Sequence, residues 1–406
     1  MTRSTTSAKR RSGAIAPLTA LLLIPLVGMM GYAIDVGYMT AVKQELQNAA
    51  DAAALAGAQQ LQQLYVQYYA PGQTNQLLLY TKATTNVQTC DCPTFAAEQF
   101  AAYNKAGGVS VTVPDSDVTF SYWDGTNPSL SASYPTFFPN TVTVVTRRDN
   151  TANGPLGLFF GTLLGMGSIE LTATASATIY AGDVSSLQVI PGVDAHILPV
   201  ALDVNVWKQF YQTGLSPDGL LHLGTNGLPQ LQVYPNPGNA PGNFGLLDVG
   251  IPSNSTPAFR NWIDDGSTPN DIQYLLNNSL LPVAPNNPKY WKGGPGLKST
   301  LQSNFYAQMG KPNLIPLFVP VNDGTNGQPY QAASGQGSGA YYSIIGFVGI
   351  TISQADGSGN NMNISIQPMA NVDPTAILTN IQPARPTQTT YFGTIQTTFV
   401  SAKLTQ

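Results

Sequence analysis

The sequence predicts an α+β protein: an N-terminal transmembrane helix that continues as a long helix packed on an antiparallel sheet, followed by a β-rich C-terminal domain. Three observations carry this. Residues 13–34 form an apolar run of 22 residues without a charge. From Met39 onward apolar residues recur at helical spacing. Beyond about residue 105 the chain turns to Val- and Thr-rich runs broken by Gly, Pro and Asn, and Gly (39) and Pro (31) are abundant. Charged residues are only 9% of the 406, against roughly 25% in an average soluble protein. Net charge is −4, but Arg3, Lys9, Arg10 and Arg11 stand in the first twelve residues, leaving 13 basic against 21 acidic groups beyond them. That balance disfavours a nucleic-acid-binding body.

The first element is the apolar run. As an α-helix it reaches about 33 Å, enough for a hydrocarbon core of roughly 30 Å. Arg10 and Arg11 flank one end and Asp35 the other. Basic residues stay cytoplasmic, so the expected orientation is N-in, with residues 35–406 outside and Asp35 at the outer boundary. Pro17 and Pro25 remove two backbone donors, which a bilayer helix tolerates. A retained single-pass anchor is preferred over a cleaved signal peptide, because the run is long and no Ala-x-Ala site follows it. It is also preferred over a buried helix of a cytoplasmic protein.

The helix continues. Met39, Val42, Leu46, Ala49, Ala53 and Ala56 are spaced 3, 4, 3, 4, 3, a heptad seam, with Lys43, Glu45, Gln47 and Asp51 off it. Ala favours helix and allows close approach of a partner. Two readings follow: the seam covers the chain's own sheet, or it offers a packing surface to other helices. Asp51 is expected to be solvated or paired. Tyr65, Tyr68 and Tyr69 pose the same choice between the chain's own sheet and an assembly contact.

The stretch from Gly13, through Asp35, to Leu46-Gln47-Asn48-Ala49-Ala50-Asp51-Ala52-Ala53-Ala54-Leu55-Ala56-Gly57-Ala58 resembles the N-terminal segment of TadE/TadG-like pilus-assembly proteins of the tight-adherence (Flp pilus) machinery. The resemblance covers about 50 residues. It implies a pilin-like body whose long first helix lies against a sheet. It also implies assembly partners that are themselves pilin-like or pilus-assembly proteins. Leader-peptidase sites of the pilin kind place Gly before the apolar run and Glu five residues after the cut. Gly13 suits the first position, but the fifth residue after it is Leu18, so no such cleavage is expected.

In the middle of the chain, residues 96–104 read as a second amphipathic helix ended by Gly107-Gly108 as a C-cap. Strands are expected at 110–113, 118–123, 141–147 and 169–180. Residues 155–165 read as a short apolar helix with Pro155 in its first turn. Eleven residues are too few to cross a bilayer, so a second membrane contact there is the lesser reading. Cys90-Asp91-Cys92 is either a redox pair or local disulfide, or two thiols in a loop.

Around residues 182–186 the composition shifts to Asn, Gln, Pro and Gly. Short strands are expected at 189–190, 197–202, 228–234, 314–321, 342–353 and 363–367, and helices at 256–265 and 297–309. Residues 241–248, PGNFGLLD, resemble a motif of the second domain of TadG-like proteins, with Phe244 presented to a core. Some long family members carry a von Willebrand A-type metal site; here Asp356-Gly357-Ser358-Gly359-Asn360 ends in Asn and reads as a hairpin turn. The expected organisation is a basic cytoplasmic tail (1–12), a transmembrane helix (13–34), a pilin-like α+β domain (35–183) and a β-rich extracytoplasmic domain (184–406).

Enzyme signatures fail one by one. Gly293-Gly294-Pro295-Gly296-Leu297-Lys298-Ser299 has Leu297 where a phosphate loop needs Gly, and Lys289-Tyr290-Trp291-Lys292 before it read as no buried strand. There is no His-Glu-x-x-His and no Gly-x-Ser-x-Gly; Gly335-Gln336-Gly337-Ser338-Gly339 misplaces its Ser. Only His196 and His222 are present. Asp115/Asp117 and Asp264/Asp265 read as exposed turn or cap acids. No cofactor and no metal is expected. The expectation is a non-enzymatic, single-pass protein of the cytoplasmic (inner) membrane, and the resemblance to TadE/TadG-like proteins implies that it acts in a tight-adherence pilus by helix–helix packing. Gly13, Pro25, Asp35, Leu46, Ala49, Asp51, Ala53 and Ala56 are its anchor and assembly residues. The alternatives are an anchored adhesin whose C-terminal domain binds a carbohydrate or other surface ligand, and a secreted hydrolase with an unrecognised site.

Overall fold

The computed structural model describes residues 15–70, 72–86, 92–126, 130–234, 245–253, 255–296, 299–319, 341–357, 363–384, 399 and 403–405. Gly13, Cys90, Phe244, the 335–339 segment and most of the 356–360 turn lie outside them. The protein is α+β. Helix α1 (Ile15–Tyr68) is one unbroken element of 54 residues, about 81 Å long. It passes through Pro25, which has no N–H to donate to the Leu21 carbonyl one turn earlier. Residues 18–30 are exposed throughout, whereas from Val42 onward the helix sinks into the body.

Two short helices follow, α2 (Gln76–Thr84) and α3 (Pro93–Ala102). Helix α3 crosses α1 at Gly57, where an added Cβ would stand 3.2 Å from the Pro93 carbonyl oxygen and 3.1 Å from Val142 Cγ1. The next hairpin pairs β1 (Lys105–Ala106) with β2 (Val109–Ser110). Gly107 and Gly108 both take positive φ, +58° and +80°. They therefore form a two-residue hairpin turn, which requires φ > 0 at both positions, and not the helix C-cap expected from the sequence.

The first sheet is antiparallel. It holds β3 (Val118–Tyr122), β4 (Leu130–Ser131), β5 (Thr141–Arg148), β8 (Leu171–Thr178) and the C-terminal β18 (Lys403–Thr405), in the order β18-β8-β5-β3-β4. Val142 and Val144 of β5 and Ala173, Ala175 and Ala177 of β8 are buried in the core that α1 covers. The small Ala side chains let the helix lie close: Thr146 Oγ1 donates to the Leu46 carbonyl at 2.9 Å. Between β5 and β8 the chain makes a small hairpin, β6 (Leu156–Gly157) and β7 (Ser168–Ile169), enclosing a single 3-10 turn at Gly161–Leu164. The apolar helix expected at 155–165 is thus a strand, a turn and a return strand. Gly157, Gly161, Gly165 and Gly167 supply the tight backbone, Gly165 at φ +77°.

The chain changes sheet at Ile179, so β9 (Tyr180–Leu187) already belongs to the second sheet and the expected boundary at 183/184 falls inside that strand. The second region then runs β10 (Leu202–Asp203), α4 (Val204–Thr213), β11 (Leu231–Tyr234), β12 (Gly245–Leu247), α5 (Thr256–Asp264) and α6 (Pro269–Asn277). It continues with β13 (Lys289–Gly296), α7 (Gln302–Ala307), β14 (Asn313–Phe318), β15 (Tyr341–Asp356), β16 (Asn363–Pro368) and β17 (Ala376–Pro383). The 16-residue β15 is the hub, pairing antiparallel with β9, β13, β14 and β16, whereas β10 pairs parallel with β14. Strand β13 contradicts the reading of residues 289–292 as no buried strand: Trp291 is fully buried and its Nε1 donates to the Leu280 carbonyl at 3.0 Å. The two sheets share the C-terminal segment. Phe399 bridges Ala181 and stands 6.3 Å from the Tyr65 ring, and β18 pairs with β8.

Candidate functional site

The residues singled out from the sequence fall into two sets on α1. Leu46, Ala49 and Ala53 are fully buried and Ala56 is 7% exposed, all within the chain's own core, where α1 packs against α3, β5 and β8. Of the two readings of the seam, the structure shows the cover for the chain's own sheet. Ala50, Ala54 and Ala58, off the seam, are buried as well, because helix α3 covers the side that the sheet does not. Asp51 is half-buried, and its Oδ1 accepts from Gln47 Nε2 at 2.8 Å. The tyrosines after the seam also turn inward: Tyr68 lies 4.4 Å from Phe138, and Tyr65 4.9 Å from Tyr69. Cys92 is buried, its Sγ 3.9 Å from Asn86 Oδ1.

The other set lies where α1 leaves the body. Asp35 is 3% exposed. Its Oδ1 accepts from the Phe159 amide at 2.9 Å, and its Oδ2 from the amides of Phe160 at 3.0 Å and Gly161 at 2.7 Å. One carboxylate thus holds three successive backbone N–H groups of the β6–β7 hairpin, a charge-assisted arrangement. Phe160 covers Gly31, where an added Cβ would meet the ring's Cγ at 2.7 Å. Phe159 packs on Tyr38 with ring centroids 5.2 Å apart. Above this point Glu45 Oε2 accepts from the Gly107 amide at 2.7 Å, and Arg148 Nη1 and Nε donate to the carbonyls of Ala106 and Gly154 at 2.6 and 2.8 Å. Asp35 and Glu45 thus tie the two small hairpins to α1, and Arg148 of β5 joins Ala106 of one to Gly154 just before the other.

Between the β6–β7 hairpin and α1 is a cleft of about 640 Å³. Leu23, Ile24, Val27 and Gly31 line the helix side; Leu158, Phe160, Leu163 and Met166 line the hairpin side. From Asp35 to Leu23 is twelve residues, about 18 Å along the axis. Nothing in the sequence around residue 160 named Asp35 as its partner; the missing signal was the absence of any charge from 156 to 169.

Asp117 is buried and clamped by Arg147, whose Nε reaches Oδ2 at 2.6 Å and Nη2 reaches Oδ1 at 2.5 Å. It is therefore not the exposed turn acid expected, since a buried arginine-paired carboxylate needs this partner. Asp115 is exposed as expected, and Asn86 and Glu98 hold its carboxyl below the usual range. Burial, then Asp115, pushes Glu98 up to about 7. Burial also pushes Asp248 up to about 6. Among the described residues no group of three or more His, Cys, Asp or Glu could hold a metal ion.

Compared with known proteins, residues 13–60 match the model of the Tad family, described as Flp pilus-assembly TadE/G-like. That match spans the exposed apolar segment, Asp35 and the seam as far as Gln60. No curated protein and no solved structure matches the chain.

Proposed function

We propose that this protein is a membrane-anchored, non-catalytic component of a Flp-type pilus system. The observation that carries the reading is the division of α1. Its first half is apolar and exposed, its second half is locked in a folded body, and the Tad match spans the junction. An exposed helix surface of this kind has no stable place in water, whereas about 20 apolar residues suit a bilayer. Arg3, Lys9, Arg10 and Arg11 precede it, which favours N-in insertion into the inner membrane with the body outside.

The mechanism is mechanical. Because Leu46, Ala49 and Ala53 serve the chain's own core, contacts with other pilus-assembly helices come from the membrane segment. At 100° per residue, Leu22, Leu26, Met29 and Ala33 lie on the face opposite the cleft residues Leu23, Ile24, Val27 and Gly31. Met29 is 74% exposed and Leu22 57%. This face is the packing surface assigned to a neighbouring helix, in place of the Ala seam.

The test is deletion of the gene in its native host, with complementation by the full chain. Loss of surface pili and of adherence, restored by the full chain, supports the reading. Normal pili with lost binding to one surface ligand would favour the anchored adhesin instead. Recovery of the protein in the supernatant after carbonate washing would remove the anchor and the proposal with it.

A further inference from the structure

We infer that the β6–β7 hairpin is a second membrane element, which enters the outer leaflet beside α1 and whose cleft against the helix is filled by lipid acyl chains. The inference rests on the reading that α1 spans the membrane; the rest comes from the hairpin itself. Gly31 lies inside the uncharged run of α1, and Phe160 sits directly upon it. A segment that covers a bilayer-facing residue must lie at that residue's depth. The chemistry of the hairpin suits hydrocarbon. Residues 156–169 read LGLFFGTLLGMGSI, with no charge and only Thr162 and Ser168 polar. Its large exposed side chains are apolar: Leu163 is 82% exposed, Phe159 65% and Met166 57%.

Irregular backbone survives in lipid only where its polar groups are satisfied without water. Here Asp35 takes the amides of Phe159, Phe160 and Gly161. The amides of Leu158, Leu163, Gly165 and Met166 donate to the carbonyls of Gly167, Phe160, Thr162 and Gly161 within the hairpin. Thr162 Oγ1 donates to the Phe159 carbonyl at 3.3 Å. The carboxylate at the end of the apolar run thus acts as an internal substitute for water. The cleft behind the hairpin extends about 18 Å along α1 from Asp35, close to the roughly 15 Å of one leaflet's hydrocarbon. At that depth its continuation is the lipid phase around α1, and its apolar lining matches a chain of methylenes.

The test uses full-length protein in vesicles of dioleoylphosphatidylcholine, with or without brominated acyl chains that quench tryptophan on contact. The four native tryptophans, Trp123, Trp207, Trp262 and Trp291, are in the body and set the baseline. Single variants Leu163→Trp and Met166→Trp report on the hairpin, Ile24→Trp on the helix and Tyr103→Trp on the exposed body surface. The expected result is loss of the added emission for the hairpin and helix variants and none for Tyr103→Trp. If Ile24→Trp is quenched while Leu163→Trp matches Tyr103→Trp, the hairpin inference is overturned and the anchor stands. If Ile24→Trp is unquenched, the anchor itself fails. Because Leu163 and Met166 both line the cleft, absence of quenching at either one overturns its acyl occupancy. Independently of any substitution, a lipid carrying a diazirine in its acyl chain should label the unmodified protein within residues 156–169; labelling confined to residues 15–34 would overturn the inference.

Discussion

Asp35→Ala removes every acceptor for three adjacent amides, and its consequence follows from the geometry. A hydrogen bond to a charged group contributes about 1.5–3 kcal/mol, and a buried donor left without a partner costs about 1–3 kcal/mol. Three such bonds cannot be added in full, because the hairpin can shift and expose one or two amides to headgroup water. A net loss of about 3–6 kcal/mol is therefore expected. The loss is local. Leu46, Ala49 and the rest of the seam are held by α3 and the first sheet, so the body stays folded while the hairpin detaches. Hydrogen exchange in lipid nanodiscs reads this directly. At 1.4 kcal/mol per factor of ten, the amides of Phe159, Phe160 and Gly161 should exchange about 10²- to 10⁴-fold faster in Asp35→Ala than in the wild type. Asp35→Asn keeps one oxygen but turns an N–H₂ donor toward a backbone donor, so its effect should be intermediate. If these amides exchange equally in wild type and Asp35→Ala while the body amides are also unchanged, the carboxylate clamp does not exist.

Gly31→Ala places a methyl 2.7 Å from Phe160 Cγ and should push the hairpin off the helix at a cost of about 1–3 kcal/mol, seen as faster exchange at residues 158–161 with intact membrane insertion. Gly57→Val crowds Pro93 and Val142 where α3 crosses α1, and should lower the body's thermal midpoint by an overpacking penalty of about 1–3 kcal/mol. The Glu98 carboxyl stands at about 7 in the fold against an ordinary 4.5, so the fold favours its protonated form. Its contribution is whole below about pH 4.5 and is lost as pH rises through 7; Glu98→Gln should flatten the midpoint-versus-pH curve across that window, and an unchanged slope would refute the assignment. Finally, Met29→Cys should form intermolecular disulfides in oxidised membranes, whereas Ala53→Cys, sealed in the core, should not; a dimer through residue 53 would restore the Ala seam as an assembly surface.

What could be read from the sequence was periodic or compositional. The seam of Leu46, Ala49, Ala53 and Ala56 shows in the spacing, because a helix with one buried face repeats every three or four residues. Spacing tells that a face is covered but not by what, so own sheet and foreign helix stayed open until the structure showed α3, β5 and β8 on it. Strand β5 was legible because its Val and Thr residues are β-branched. The β6–β7 hairpin was misread because apolar runs led by Pro resemble a helix start; its glycines, spaced four, four and two apart, mark a turn that only Asp35, 124 residues away from Phe159, completes. Strand β13 was missed because Trp291 stands between Tyr290 and Lys292, whose polar ends hide a buried position in a short alternation. Long-range partners of this kind leave no local trace.

The burial of the seam also limits how this protein could join an assembly. Freeing the buried side of α1, the seam together with its flank, would expose Leu46 and Leu61, at about 1.5–3 kcal/mol each, and Ala49, Ala53, Ala54 and Ala58, at about 0.8 kcal/mol each. The total, roughly 6–9 kcal/mol, is of the order of a whole domain's stability, about 5–15 kcal/mol. A neighbouring helix would have to return nearly all of it with equal packing, while α3 and β8 lost their own cover. Association through the already exposed membrane face carries no such cost, since that face leaves lipid and not a packed core. The rigid second half of α1 therefore works as the body's spine. Because Asp35, and about three turns later Glu45 and Leu46, tie the hairpins and the first sheet to it, displacement of the membrane segment is transmitted to the body without an intervening loop.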